Sequence, residues 1–346
     1  MQLDDDLLAG ARAMLRPNVH KGEEVAIIGS TDVDLAAYMA LVRACEELGV
    51  EATVGLMTPR RAYGRPAPAA LQAQILAADF SLLVTSTSLG HTDVLITALR
   101  QGRRLITSPL PRGEGRAAAM LTSFRSFSPE RLAEIKRASL AVARVLSGGS
   151  RVWIASPQGT GLHVDITGQN GCPYYGLVDP DGNNKGSWPP GEAHIATVAG
   201  TAEGVLVVDG YVGGVGIPKP PMRIEFTRGR IASISGGLAR EFGDVLDSSD
   251  ENARELCEVG IGTSVYQKLA GTNGDKKMSG TVHVAVGGNY SSSFGGPNPT
   301  GTIKSNVHID LHLRAPVECR VDGTLLVSNG RVLVEEASPA ASGTPT

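Results

Sequence analysis

The chain is poor in aromatic residues, 4% of 346 with two tryptophans, and holds four cysteines with no Cys-x-x-Cys pair. Such cysteine usage excludes a disulfide scaffold and a thiolate zinc module. Cys45, Cys172, Cys257 and Cys319 are expected as reduced, buried thiols. No block of like charge occurs and the net charge is −3, so the electrostatic footprint of a nucleic-acid binder is missing, as is a basic face for membranes. No stretch approaches 18 consecutive apolar residues, and the first ten residues are acidic where a signal peptide would be basic. The expectation is a cytoplasmic protein that binds neither nucleic acid nor membrane. What is abundant is glycine (43) and proline (20), which implies many turns and strand ends. Apolar residues at 42% and charged residues at 19% are ordinary for a globular chain, here long enough for two cores.

Along the chain the texture changes once. Residues 25–29 form a short continuous apolar run, as in a buried parallel strand. A helical pattern follows over 35–48 and stops at Gly49. Further strands are predicted over 50–57, 80–85 and 104–107, and helices over 71–78 and 94–100. Ser128 reads as an N-cap, with Pro129 at the first helical position, for a helix over 129–145. Strands alternating with helices imply crossover units and a mostly parallel sheet. After residue 147 short alternating runs take over. Strands are predicted over 151–155, 163–167, 194–198, 205–209, 222–227, 230–235, 281–286, 307–313, 318–321 and 324–334, with one helix near 250–258. The expected architecture is an α/β domain over 1–147, a β-rich α+β metal-binding domain over 148–336, and a disordered tail over 337–346.

The chemistry concentrates in the second half. In Val307-His308-Ile309-Asp310-Leu311-His312-Leu313-Arg314, strand alternation puts His308, Asp310, His312 and Arg314 on one face and the apolar residues on the other. A His-x-Asp pair stands roughly 7 Å apart at Cα, close enough to converge on one ion or on adjacent ions. A wet polar face is the bland alternative. His283 sits among small apolar residues, where a lone histidine is ordinarily a satisfied core residue. After it comes the loop Gly287-Gly288-Asn289-Tyr290, running on through serines to Gly296, which needs unusual backbone angles or lets backbone approach a ligand. Glu192 and His194 share a face where a strand begins. Glu258 is a carboxylate in an apolar context, for which pairing or metal ligation is expected. Together these supply three carboxylates and two to four imidazoles, the donor set of Zn, Mn, Co or Fe.

These segments, in this order, resemble the thermophilic leucyl aminopeptidase (aminopeptidase T) family. The matching positions are Glu192, Glu258, His283, Tyr290, His308 and Asp310. The resemblance is carried by residues 150–335 and reaches the N-terminal half only in texture. It implies a divalent-metal enzyme, commonly a homodimer, with two ions (Zn, Co or Mn) held by Glu192, Glu258, His283, His308 and Asp310. The sequence is also similar to 2,5-dihydroxypyridine 5,6-dioxygenase, a mononuclear Fe(II) enzyme on the same scaffold. The dioxygenase has histidine where Glu258 stands and lacks the carboxylate at Glu192 and the imidazole at His283.

The resemblance therefore implies a metal-dependent hydrolase that cleaves an amide-type C–N bond of a small molecule or short peptide. Glu258 or Glu192 would bridge the ions, with the other available as general base. Tyr290 would donate to the developing oxyanion. His194, His312 and Arg314 are candidates for supporting the ligands or binding a substrate carboxylate. The alternative is Fe(II) ring cleavage. A third reading, a metal-stabilised binding protein, is disfavoured because closed structural zinc sites prefer cysteine.

Overall fold

The computed structural model describes residues 4–60, 66–90, 92–178, 183–290, 301–314 and 316–334. The first half runs α1 (Asp5–Leu15), β1 (Glu24–Ser30), α2 (Leu35–Leu48), β2 (Glu51–Met57), α3 (Ala69–Ala77), β3 (Phe80–Leu83), α4 (Asp93–Arg100), β4 (Arg104–Thr107), α5 (Arg116–Ser123) and α6 (Pro129–Gly148). The local signals act as expected. Gly49 closes α2 in the left-handed conformation at φ 71°, and Ser128 Oγ accepts from the Arg131 amide at the start of α6. Helix α1 was not among the expected elements, yet Asp4 caps it by accepting from the Asp6 amide, and its apolar face packs into the core.

The second half continues β5 (Arg151–Ala155), β6 (Gly161–Asp165), β7 (Gly171–Tyr174), β8 (Lys185–Ser187), β9 (Glu192–Ala196), β10 (Glu203–Val208), β11 (Met222–Thr227) and β12 (Arg230–Gly236). Next come α7 (Ala239–Asp247), β13 (Leu256–Gly262), β14 (Val282–Gly287), β15 (His308–Leu313), β16 (Glu318–Val321), β17 (Thr324–Ser328) and β18 (Arg331–Val332). The helix expected near 250–258 is replaced by a 3-10 turn, Glu251–Arg254, and by β13. Pairing with both β9 and β14 satisfies the backbone of β13 on two sides, which outweighs a helical pattern in a short apolar run.

One parallel and two antiparallel sheets result. The parallel sheet has the order β2-β1-β3-β4-β8. Its fifth strand comes from residues 185–187, beyond the boundary read from sequence at 147. An eight-stranded sheet, β12-β11-β10-β6-β5-β16-β17-β18, faces a five-stranded one, β15-β14-β13-β9-β7. Ile154, Leu162 and Ile224 from the first and Ile195, Val259, Val284 and Leu311 from the second share one core with Val142 and Leu146 of α6. The chain passes from β8 in the parallel sheet to β9 in the five-stranded sheet through four residues. That short crossing brings the carboxyl ends of the parallel strands over the outer face of the five-stranded sheet, the usual place for a ligand on an open α/β sheet. The tail expected over 337–346 lies outside the described residues, and among those residues no helix is long and apolar enough to cross a membrane. All four cysteines are buried and unpaired with one another.

Candidate metal centre

β15 divides as its alternation predicts. Ile309, Leu311 and Leu313 enter the shared core, while His308, Asp310 and His312 point to the other face. That face is not wet: all three are buried, beneath the end of the parallel sheet. The strand register then aligns the rest. His312 lies opposite His283, and Asp310 opposite Ala285. His283 lies opposite Gly260, and Ala285 opposite Glu258. Gly260 in turn lies opposite His194. Small residues alternate with large ones so that the large side chains lean over them. A Cβ on Gly260 would come within 2.0 Å of His283 Cε1.

All five residues expected as ligands meet here, and His194 joins them. Glu192, His194 and Glu258 each present a ligand atom within 4.8 Å of the others, as do Glu258, His283 and Asp310. Glu258 belongs to both groups. His283 Nε2 stands 3.1 Å from Glu192 Oε1, 3.6 Å from Glu258 Oε1 and 4.0 Å from Asp310 Oδ1. His308 Nε2 stands 3.8 Å from Glu258 Oε1 and 3.5 Å from Asp310 Oδ1, and its Nδ1 donates to the Gly288 carbonyl at 2.7 Å. A backbone carbonyl on Nδ1 that leaves Nε2 facing inward is the usual support of a metal-ligating histidine.

Two observations test whether this donor set fits divalent ions. Atoms bound at about 2.0–2.2 Å to one ion stand about 3–4 Å from each other, and these do. His194 Nδ1, both ring nitrogens of His283 and Asp310 Oδ1 are also buried without a hydrogen bond of good geometry, a costly state for polar atoms that a cation would relieve. Carboxylate and imidazole suit Zn, Mn, Co or Fe alike.

Tyr290 and Arg314 are not brought to this cluster. The Tyr290 hydroxyl accepts from Arg100 Nη2 at 3.0 Å, and its ring lies under Lys304. Arg314 is exposed at the strand end, its amide donating to Asp209 Oδ1. The loop expected after Tyr290, residues 291–296, lies outside the described residues. His312 is beside the cluster, 5.9 Å ring to ring from His283.

Four residues that the sequence did not single out are present instead. Lys276 Nζ lies 2.9 Å from Asp310 Oδ2 and 3.4 Å from Glu192 Oε1. Lys277 Nζ donates to Ser187 Oγ at 2.7 Å and to Glu192 Oε2. Lys185 Nζ donates to the Gly90 carbonyl at 3.0 Å. The Tyr174 ring packs edge-on against His194 at 4.6 Å. A Lys-Lys pair in a polar turn reads as solvated charge, and Lys185 occupies a three-residue strand, so neither carries a pattern. A partly open cavity of about 90 Å³ lies beside the cluster, bounded by Ser88, Gly90, Thr107 and Pro109 on the parallel-sheet side.

Burial alone would raise the Glu258 carboxyl, but neighbouring imidazoles and Lys276 hold it well below the usual range. Asp310 behaves likewise, with Lys276 the largest opposing charge. Burial pushes His194 down to about 4, so its ring is neutral at pH 7, and the charge favouring ionised Glu258 is that of His308 and Lys276. His283 and His312 are also lowered, burial again leading. Unfolded histidine takes up a proton near pH 6.5, whereas folded His194 does so only near 4. The contribution of His194 is therefore full above 6.5 and is lost as the pH drops toward 4. For the chelator-stripped protein, between pH 6 and 4.5, His194 alone contributes about 2 kcal/mol. We expect the melting temperature to fall over that window and the slope to flatten in His194→Gln; equal slopes would show His194 to be accessible to protons in the folded state.

Comparison with known proteins follows the same lines. Residues 8–334 match the family described as NicX: 2,5-dihydroxypyridine 5,6-dioxygenase, so the likeness reaches through the N-terminal half that the sequence motifs had left to texture. No curated protein matches the chain. Among solved structures, 2,5-dihydroxypyridine dioxygenase from Pseudomonas putida KT2440 superposes with TM-score 0.71 at 19% identity, over 95% of this chain and 97% of that one. Wild-type AmpT from Thermus thermophilus superposes with TM-score 0.66 at 17% identity, over 95% and 99%. At such identities the two likenesses establish the fold.

Proposed function

Because the chain belongs to the 2,5-dihydroxypyridine 5,6-dioxygenase (NicX) family yet gathers two carboxylates and three imidazoles around a third carboxylate, Glu258, we propose that it is a two-metal hydrolase of amide-type C–N bonds. The observation that carries this reading is the sharing of Glu258 between both donor groups. A carboxylate has two oxygens and a charge, so it can hold two cations and offset their repulsion; a neutral imidazole offers one lone pair. When bound, two divalent ions supply a water of lowered pKa and a Lewis acid for the scissile carbonyl.

The chain's own residues do the rest. Glu192, His194, Glu258, His283, His308 and Asp310 would hold the ions, with Glu258 common to both donor groups. Glu192, whose Oε2 accepts from Lys277, lines the cavity and would act as general base where it is not a ligand. The cavity lies between the cluster and Ser88, Gly90, Thr107 and Pro109 of the parallel-sheet side, and a small amide or lactam is the substrate class we propose for it. The family match favours a second reading, Fe(II) ring cleavage with His308, Asp310 and either His283 or Glu258 as ligands.

The two readings differ in their use of oxygen. A panel of small amides, lactams and hydroxylated heterocycles, incubated with and without O₂ in ¹⁸O-labelled water, is expected to yield product anaerobically with one label from water. Oxygen consumption equal to product formed would establish ring cleavage instead.

A further inference from the structure

Between β13 and β14 the chain makes a 3-10 turn, Asn273–Lys277, that ends in two consecutive lysines. The turn is built to hold them. The Asp275 carboxylate, 2% exposed, accepts from the amides of Ala270 at 2.8 Å and Gly271 at 3.0 Å. Thr272 and Asp275 cap each other's backbone amides, a reciprocal box that fixes the start of the turn. Its end is fixed beside β13, where the Ser264 amide donates to the Lys277 carbonyl at 2.9 Å. The Thr281 hydroxyl lies 3.2 Å from the Lys276 carbonyl oxygen and donates to that of Met278 at 2.7 Å. Gly262 makes the close approach possible: a Cβ there would come within 2.0 Å of the Met278 carbonyl oxygen and 2.7 Å of that of Lys276.

Each lysine meets one candidate ligand on one oxygen and leaves the other to the imidazoles. Lys276 Nζ stands 2.9 Å from Asp310 Oδ2, while Asp310 Oδ1 faces His308 Nε2 at 3.5 Å and His283 Nε2 at 4.0 Å. Lys277 Nζ donates to Glu192 Oε2, while Glu192 Oε1 faces His283 Nε2 at 3.1 Å and His194 Nδ1 at 3.9 Å. Ser187 Oγ, 2.7 Å from Lys277 Nζ, anchors that ammonium from the parallel sheet. A carboxylate with one oxygen engaged by an N–H donor has its orientation set and its other oxygen left for an ion.

We propose that Lys276 and Lys277 are positioning residues: they hold Asp310 Oδ2 and Glu192 Oε2, so that each carboxylate offers an ion one oxygen and a coordination position stays open for the substrate. An open position is what separates catalytic from closed structural metal sites. This role rests on Glu192 and Asp310 being ligands, as in the two-metal reading, and is independent of which bond is cleaved.

The test is the visible spectrum of the full-length protein, stripped by chelator and titrated with Co(II), read per bound ion. Cobalt with few ligands absorbs strongly and cobalt with six absorbs weakly, so the spectrum counts ligands where affinity does not. Removing a lysine takes away both a donor and a positive charge, which act on affinity in opposite directions. The parent is expected to show the strong absorption of an ion with open positions. Lys277→Met frees Glu192 Oε2 to chelate and should lower the absorption severalfold; Lys276→Met should do the same through Asp310. A merely structural lysine would shift the melting temperature and leave the spectrum unmoved. Variants with the parent's spectrum, or a parent that already absorbs weakly, would overturn the role. If Lys277→Met lacks a cooperative melting transition, Lys276→Met decides by the same comparison. One bound cobalt in the parent would contradict the two-metal reading, and Lys276→Met would still decide, because Asp310 is a ligand in the Fe(II) reading as well.

Discussion

Glu258→Ala is expected to abolish turnover and remove tight binding of both ions, whereas Glu258→His retains one. Glu258 is the only residue common to the two donor groups, and it sits at the centre of β13, paired on both edges. Loss of a supporting residue around a metal ligand costs roughly 10–100-fold in affinity or activity; loss of the shared ligand should exceed that. Alanine also removes the carboxylate that His194, His283 and His308 share and opens space in a buried site, which lowers stability, although Lys276 keeps Asp310 and Glu192. The metal-free Glu258→Ala protein should therefore melt at a lower temperature than the metal-free parent. Calorimetric titration of the stripped proteins reads the stoichiometry directly. Two tight ions in Glu258→His would rule out the bridging role.

The second large effect is expected from the smallest change. Gly260→Ala adds one methyl group where the His283 ring crosses the strand, within 2.0 Å of Cε1 and 2.3 Å of Nε2. Real Cβ atoms do not approach that closely, so the ring must leave its position or β13 must separate from β14. Overpacking of this kind costs about 1–3 kcal/mol in stability. The larger consequence is chemical, because Nε2 is the atom that His283 presents to Glu258 and Asp310. We expect one of the two ions to bind at least tenfold more weakly, with turnover falling in proportion. A variant that binds two ions like the parent would show that His283 is a core histidine, the bland reading that its apolar neighbours suggested.

Gly260 also shows where sequence reading stops. The alternation of β15 announced which of its side chains share a face, and the match of six positions to a metallopeptidase pattern named five residues whose side chains do converge. Helix α2 and the strands over 104–107, 222–227 and 318–321 were legible because apolar runs and caps are local. The strand register that puts Gly260 under His283, and His194 beside Glu258, is not local, and no single segment encodes it. Tyr290 failed for the same reason: its distance along the chain fitted the pattern, but its hydroxyl is committed to Arg100. Arg314 ends its strand where the cluster no longer lies beneath it. Lys276, Lys277 and Lys185 were invisible because a buried lysine looks like any other until the sheets that bury it are assembled. The short β8 matters most here, since its pairing with β4 carries Lys185 and Ser187 to the cavity.

The two-metal reading turns on whether Glu258 is shared by two ions. Elemental analysis and native mass spectrometry of the intact protein, reconstituted in turn with Zn, Mn, Co and Fe(II), test it most directly. Two ions per chain are expected in the parent and one in Glu258→His. A single tightly bound iron per chain in the parent, unaffected by excess of the other metals, would contradict it.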